Sequence, residues 1–180
     1  QGGGTIYSVK VLKVDKDNAA IKLEGVKFSL YDGEGANKDE KLTTFTTDSN
    51  GLFSIKTWNN NTDSLKSGHT YYLMEDSTPS GYEDGFNVYD YSSSDDQSKV
   101  RTNLWFKVTK DAETEDGEVL LINDGHELTV ANTPVKIDIP VQKVWNDQSD
   151  KYKVRPESVT LNLLANKTRV DGVVLNADDF

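Results

Sequence analysis

The stretch YSVKVLKVDKD, residues 7–17, decides how the chain is read. Its side chains alternate, with Tyr7, Val9 and Val11 on one side and Ser8 and Lys10 on the other. A period of two marks a half-buried strand. Lys13 then falls on the apolar side, so the strand points a lysine into its own core. An ion buried without a partner costs several kcal/mol, so residues that meet this lysine are expected elsewhere in the chain.

Two other strands repeat the anomaly. In ELTVANTP, residues 127–134, Leu128 and Val130 share a side with Asn132. In TYYLMED, residues 70–76, Tyr71 and Leu73 share a side with Glu75, although Tyr72 and Met74 make the opposite side apolar as well. The plain reading is a buried Lys–Glu ion pair with Asn132 hydrogen-bonded beside it. The chemical reading is an amine, a carboxamide and a carboxyl group held together in a dry interior. Burial disfavours charge, which pushes a lysine pKa down and a glutamate pKa up. A neutral amine is a nucleophile, a protonated carboxyl can polarise the amide and relay protons, and folding supplies proximity. Alternation alone leaves both readings open, along with simple surface exposure.

Period-two patterning runs through the chain and predicts strands near 5–14, 26–31, 41–47, 51–57, 70–75, 86–91, 103–109, 118–123 and 127–132. DSNG at 48–51 and EDGE at 115–118 read as hairpin connections. Many short strands with turn punctuation predict a β-sandwich or barrel. The stretch 83–124 is long and polar and reads as an insertion carrying an extra hairpin. A second pattern opens at IDIPVQKVW, residues 137–145, again with a late lysine, Lys143, on the apolar side. Strands near 157–164 and 168–175 follow. The expected organisation is a sandwich over 5–134, a linker at 135–138, and the start of a second, incomplete module over 139–180.

Composition limits the functional classes. The net charge of −10 argues against nucleic acid and against docking on anionic lipid. The absence of cysteine removes disulfides, thiol catalysis and thiolate metal sites. No run has the length and apolarity of a membrane span and no signal-peptide pattern is read. The opening QGGG reads as a linker or an expression remnant, so these absences do not fix localisation.

The run KVD…LEGVKFSLYD…FTTDSNGLFSI…SGHTYYLMEDSTPSGY…LTVANTP resembles the collagen-adhesin B-repeat (Cna-B) domains of Gram-positive surface adhesins and sortase-assembled pilins. The resemblance spans most of 5–134. It implies an all-β, immunoglobulin-like or prealbumin-like sandwich. It also implies an autocatalytic isopeptide bond between Lys13 and Asn132, assisted by Glu75 within the acidic motif EDSTPSGY. The second module resembles the opening of another such domain. Its bonding lysine would be Lys143, but no matching Glu motif or terminal Asn follows, and Asn162 lies off the apolar set. The implied role is a stalk or shaft domain of a cell-wall-anchored extracellular protein or pilin, with neighbouring domains as partners. The alternative is an adhesin that binds a host matrix protein or glycan through 83–124. No cofactor, metal or turnover enzyme is expected.

Other motifs carry less. DKDN at 15–18 and SSSDDQ at 92–97 lack the full calcium-loop pattern. His69 and His126 lie outside metal-ligand spacing and are expected in exposed or capping roles. No Gly-x-Ser-x-Gly elbow occurs. Trp58, Trp105 and Trp145 are expected in packing rather than sugar stacking. Lys136 lacks a pilin-motif context for a sortase acceptor.

Overall fold

The computed structural model describes residues 5–89, 99–110 and 118–179. The chain divides into two compact units, Gln1–Lys136 and Ile137–Phe180.

The first unit is a sandwich of two sheets. One has the order β4-β1-β11-β8, from Leu52–Ile55, Val9–Asp15, Glu127–Asn132 and Asn87–Tyr89. The other has the order β10-β9-β7-β2-β3, from Val119–Asn123, Asn103–Thr109, Tyr71–Glu75, Lys27–Asp32 and Lys41–Thr46. Alternation supplies the core. Val9, Val11, Ile55, Val88, Leu128 and Val130 face Phe28, Leu30, Leu73, Leu104, Phe106 and Leu120 in one buried cluster. Phe28 bridges the layers, its ring 5.5 Å from that of Phe53 and 6.0 Å from that of Phe86. Each such large side chain contributes about 1.5–3 kcal/mol on burial. The outer side of β1 is not fully open either: a bridge from Val14 to Lys22 folds the following loop over it, which buries Val14.

The first and last strands of this unit are parallel neighbours, Lys10–Asp15 lying against Glu127–Asn132. That register puts the first and last strands side by side, with the chain entering at one end of the pair and leaving at the other.

Three expectations change. DSNG makes the expected tight turn, with Gly51 N donating to Asp48 O and the Asp48 carboxylate taking the amides of Asn50 and Leu52. It is not a hairpin, however, because β3 and β4 lie in different sheets. EDGE falls largely on 111–117, outside the described residues. The strands it was expected to join as a hairpin, β9 and β10, run parallel, and a tight hairpin turn joins only antiparallel strands. Finally, 83–124 is not a peripheral insertion: it supplies β8, β9 and β10, with Phe86, Val88, Leu104, Phe106, Val108, Leu120 and Ile122 in the core. In β9 its polar residues alternate with the buried ones. SSSDDQ lies outside the described residues. A two-rung ladder, β5 (Thr57–Trp58) with β6 (Asp63–Ser64), was not anticipated.

In the second unit β12 (Ser158–Ala165) and β13 (Thr168–Asn176) form an antiparallel hairpin. Its two-residue turn, Asn166 and Lys167, has φ of 49° and 70°, the positive values of a type I′ connection. Residues 137–145 form no strand. In the first unit the equivalent segment is held by β11 on one side and β4 on the other. Among the described residues of its unit no ladder pairs with Ile137–Trp145, although Ile137, Ile139 and Val141 line a cavity with Leu161, Leu163 and Val173 of the hairpin.

Candidate functional site

The inward side of β1 ends in polar residues. Lys13 and, two residues on, Asp15 are both buried, at 0% and 6% exposure. Asn132 closes β11, fully buried and in register with Asp15. Glu75 ends β7 in the opposite sheet and is half-buried. The three residues singled out by alternation therefore gather at one end of the sandwich, between its layers.

Backbone contacts hold the lysine in place. Lys13 N donates to Gly51 O at 2.7 Å, and Leu23 N donates to Lys13 O at 3.0 Å. Gly51 has φ +73°, and a Cβ there would sit 2.6 Å from Lys13 O. Only glycine tolerates both the conformation and the approach.

The Asn132 amide is oriented from its nitrogen. Nδ2 donates to Glu75 Oε1 at 3.2 Å and to Gly85 O at 3.0 Å. Lys13 Nζ, Glu75 Oε2 and Asn132 Oδ1 are buried and have no hydrogen-bond partner. A plain hydrogen-bonded salt bridge would leave neither the amine nor that carboxyl oxygen unmatched. Orphaned polar atoms of this kind are rare in folded proteins and call for an account.

Electrostatics follow the burial. Desolvation pulls the Lys13 amine down to about 8, partly opposed by the negative charges of Glu75 and Asp15. Desolvation also pushes the Glu75 carboxyl up, partly opposed by Lys13 and by the hydrogen bond from Asn132. Both groups move toward neutrality. The cluster therefore holds an amine of nucleophilic character, a carboxamide with its carbonyl oxygen free, and a carboxyl group disposed to keep its proton.

Sequence reasoning missed Asp15 and Tyr82. Tyr82 donates from its hydroxyl to Asp15 Oδ2 at 2.9 Å. Asp15 was within reach of the alternation argument, being two residues beyond Lys13, but the strand was expected to end at residue 14. Its other oxygen takes the amides of Asp17 and Asn18, so the acidic look of DKDN reflects a turn that Asp15 caps.

The remaining candidates make other contacts. Lys143 Nζ bonds the carbonyl of Val144 at 2.9 Å and sits 4.2 Å from the Trp145 ring centre. Among the described residues of its unit, these contacts involve no Glu or Asn side chain. His69 is not simply exposed: its two ring nitrogens lie 2.7 Å from Asp32 and 3.1 Å from Glu34, tying the turn before β7 to the end of β2 and the loop that follows it. No cluster of metal-ligating side chains occurs among the described residues, and none of their helices is long and apolar enough to cross a membrane. Lys136 forms an exposed ion pair with Asp17 at 3.2 Å. Trp58 packs edge-on to Tyr71, and Trp105 packs 4.4 Å from Tyr72.

Comparison with known proteins follows the same division of the chain. The sequence model for the SpaA prealbumin-like fold domain matches residues 7–104, and that for the Cna protein B-type domain matches residues 139–179. A search of curated proteins finds no match. Among solved structures, the pilus 2b backbone protein of group B streptococcus is 22% identical, with TM-score 0.41 over 71% of this chain and 41% of its own. The shaft pilin SpaA of Lactobacillus rhamnosus GG is 17% identical, with TM-score 0.44 over 75% of this chain and 48% of its own. The Bacillus anthracis TIE protein is 16% identical, with TM-score 0.47 over 96% of this chain and 25% of its own. The chain thus spans less than half the length of each. The assignment rests on the sequence models, whose families are structural rather than enzymatic. With more than half its residues under one of them, this chain belongs to the family of SpaA prealbumin-like fold domains.

Proposed function

We propose that the first unit is a load-bearing stalk module of a Gram-positive surface protein or pilus, locked by an isopeptide bond that it forms itself. The bond joins Lys13 Nζ to Asn132 Cγ. The neutral amine attacks the carboxamide carbon, Glu75 lends a proton to the carbonyl oxygen and then passes protons to Nδ2, and ammonia leaves. One C–N bond forms and one breaks, no oxidant or cofactor is consumed, and the reaction runs once per molecule. The supporting observation is the convergence of three buried, unpartnered polar atoms from the first strand, the last strand and β7.

The parallel register gives the bond its mechanical meaning. A pull on the two ends of the unit shears β1 along β11. A covalent link between those strands would carry the load and bypass everything folded between them. It would also close a long loop. By the chain-entropy reasoning used for disulfides, a loop of ~100 residues gains about 4.7 kcal/mol. Neighbouring domains of the parent protein are the partners this role requires, at an extracellular, cell-wall location.

The rival reading is adhesion through 83–124, whose strands β9 and β10 alternate buried with half-buried residues. Intact mass tests the main reading. The bonded protein weighs one ammonia less than its sequence, and Glu75→Ala restores the full mass. A wild-type protein at full sequence mass rules out the bond.

A further inference from the structure

The cross-linking reading leaves one buried pair unused. Asp15 and Tyr82 touch none of the reacting atoms, yet they sit where all three strands of the site meet. Tyr82 follows Glu75 in the turn that leaves β7. That turn is laced to the segment after Asn132: Tyr82 bridges Pro134, Glu83 N donates to Thr133 O, and Val135 N donates to Gly81 O. The Tyr82 hydroxyl then reaches β1 through Asp15 Oδ2. Lys16 N closes the circuit on Asn132 O at 2.9 Å.

We propose, resting on the cross-linking reading, that Asp15 and Tyr82 are positioning residues of that reaction. Their hydrogen bond latches the Glu75-bearing turn onto β1, and the buried Asp15 carboxyl, two residues beyond Lys13 on the same side of the strand, shapes the surroundings of the amine. The charged groups around the site are few. Lys13 faces Glu75 from β7 and Asp15 from its own strand. Glu75 faces Lys13 and, from its own turn, Asp84. Asp84 accepts a hydrogen bond from Thr78 within that turn. Asp17, in the loop after β1, is engaged by Lys136, and β11 brings only the neutral Asn132 to the cluster. Among the described residues, Asp15 is therefore the carboxylate beside the amine that takes no part in proton transfer. Tyr82, held up at about 12 by burial and by Asp15, keeps its proton and remains the donor.

A cell-free pulse of the full chain, quenched at intervals and weighed intact, reads the rate of ammonia loss from about pH 5 to about pH 9. Tyr82→Phe removes the latch but keeps the ring. It is expected to slow bond formation about tenfold at every pH, with the profile unmoved. Asp15→Asn keeps the shape and removes the charge. It is expected to move the rising limb of the profile about one unit toward acid, because the amine loses a negative neighbour. The proposal is overturned if both variants lose ammonia at the wild-type rate with superimposable profiles. It is also overturned if Tyr82→Phe slows the bond only in proportion to its unfolded fraction by near-UV circular dichroism. A wild type that loses no ammonia overturns the cross-linking reading and this proposal with it. A wild type that does, beside unchanged variants, overturns this proposal alone.

Discussion

Residues 7–15 and 137–145 open their units with one pattern, an alternating strand whose late lysine falls on the apolar side, and the two meet different fates. In the first unit the segment is β1, paired on both edges, and Lys13 is wholly buried. In the second, Ile137 is 77% exposed, no ladder forms, and Lys143 folds back on Trp145. Side-chain alternation states which face of a strand would be apolar. It does not supply the neighbours that make the strand, and backbone groups left without a ladder must find water or turns instead. What perturbs a lysine is the packing built around it.

The largest expected effect removes the bond in one unit and changes nothing in the other. Asn132→Ala is expected to restore full sequence mass and lower the melting temperature steeply. On the cross-linking reading the covalent link is lost, and the buried amine stays beside Glu75 and Asp15 as an unbonded group. Lys13→Met is also expected to restore full mass and to melt no higher than Asn132→Ala, because it leaves the Glu75 and Asp15 carboxyls without their cation, a one-partner loss that costs about 3–5 kcal/mol. Lys143→Ala should leave the mass deficit intact and shift stability by no more than about 0.5 kcal/mol. Intact mass and calorimetry of the three variants separate these outcomes. A Lys143→Ala protein that regains the ammonia would mean that the comparison has been assigned to the wrong lysine.

Glycines sharpen the same contrast at smaller scale. Gly51→Ala places a Cβ against the Lys13 carbonyl at positive φ. It is expected to cost about 1–3 kcal/mol and to slow ammonia loss, since the lysine strand must shift. At Gly172 a Cβ would meet chiefly the end of the Arg169 side chain, at 2.6 Å. An arginine end can swing away, so Gly172→Ala is expected to cost less than about 1 kcal/mol. Chemical denaturation measures both. Equal costs would show that the strand around Lys13 yields as readily as an exposed hairpin.

Where the sequence could be read and where it could not follows from the physics of each element. Alternation located β9 and β11 because each has one face in the core, and it placed Lys13, Glu75 and Asn132 on inward faces because their neighbours are apolar. It misjudged 83–124 because a strand with one wet face reads as polar when its partners are unknown. It took DSNG for a hairpin because a tight turn fixes local geometry but not which sheet the next strand joins. Asp15 escaped because acidic residues beside a turn look solvated, and only Tyr82, far along the chain, shows that this one is buried. Long-range pairing decided each of these cases.

The proton balance of the uncross-linked protein distinguishes the units next. With Asn132→Ala in place, Lys13 is expected to stay depressed. Its pKa of about 8 in the fold lies below the unfolded value of 10.5. Below about 8 both states carry the proton and the full burial penalty stands. Between about 8 and 10.5 the unfolded chain binds the extra proton, so stability rises with pH across that window and then levels. Glu75, raised in the fold, acts in the opposite sense: stability falls as pH rises from its unfolded value of 4.5 through its folded one. Denaturation of Asn132→Ala against Lys13→Met/Asn132→Ala isolates the lysine. The alkaline rise should vanish in the double variant, and a rise that survives would have another source.

The smallest effect belongs to the second unit. Arg155 grips Asp147 with two nitrogens, at 2.6 and 2.7 Å, and its hydrogen bonds hold that carboxyl down at about 2. The pair is exposed, and solvent screens pairs of this kind to little net stability. Its pH slope has the same sign as that of Lys13, since both groups titrate below their unfolded values, but here the charged form is the one the fold favours. A depressed carboxylate stabilises above its unfolded value of 3.8, and that contribution fades as pH falls through about 2. Arg155→Ala is expected to return the Asp147 midpoint toward the ordinary carboxylate range, seen by carboxyl carbon NMR, with no measurable change in mass or melting of the first unit. A midpoint that stays low without the guanidinium would place the cause in the Asp150 amide, which donates to the same carboxylate at 3.1 Å. The exposed unit would then be tuning a carboxylate with its own backbone, as the buried unit orients Asn132 through the carbonyl of Gly85.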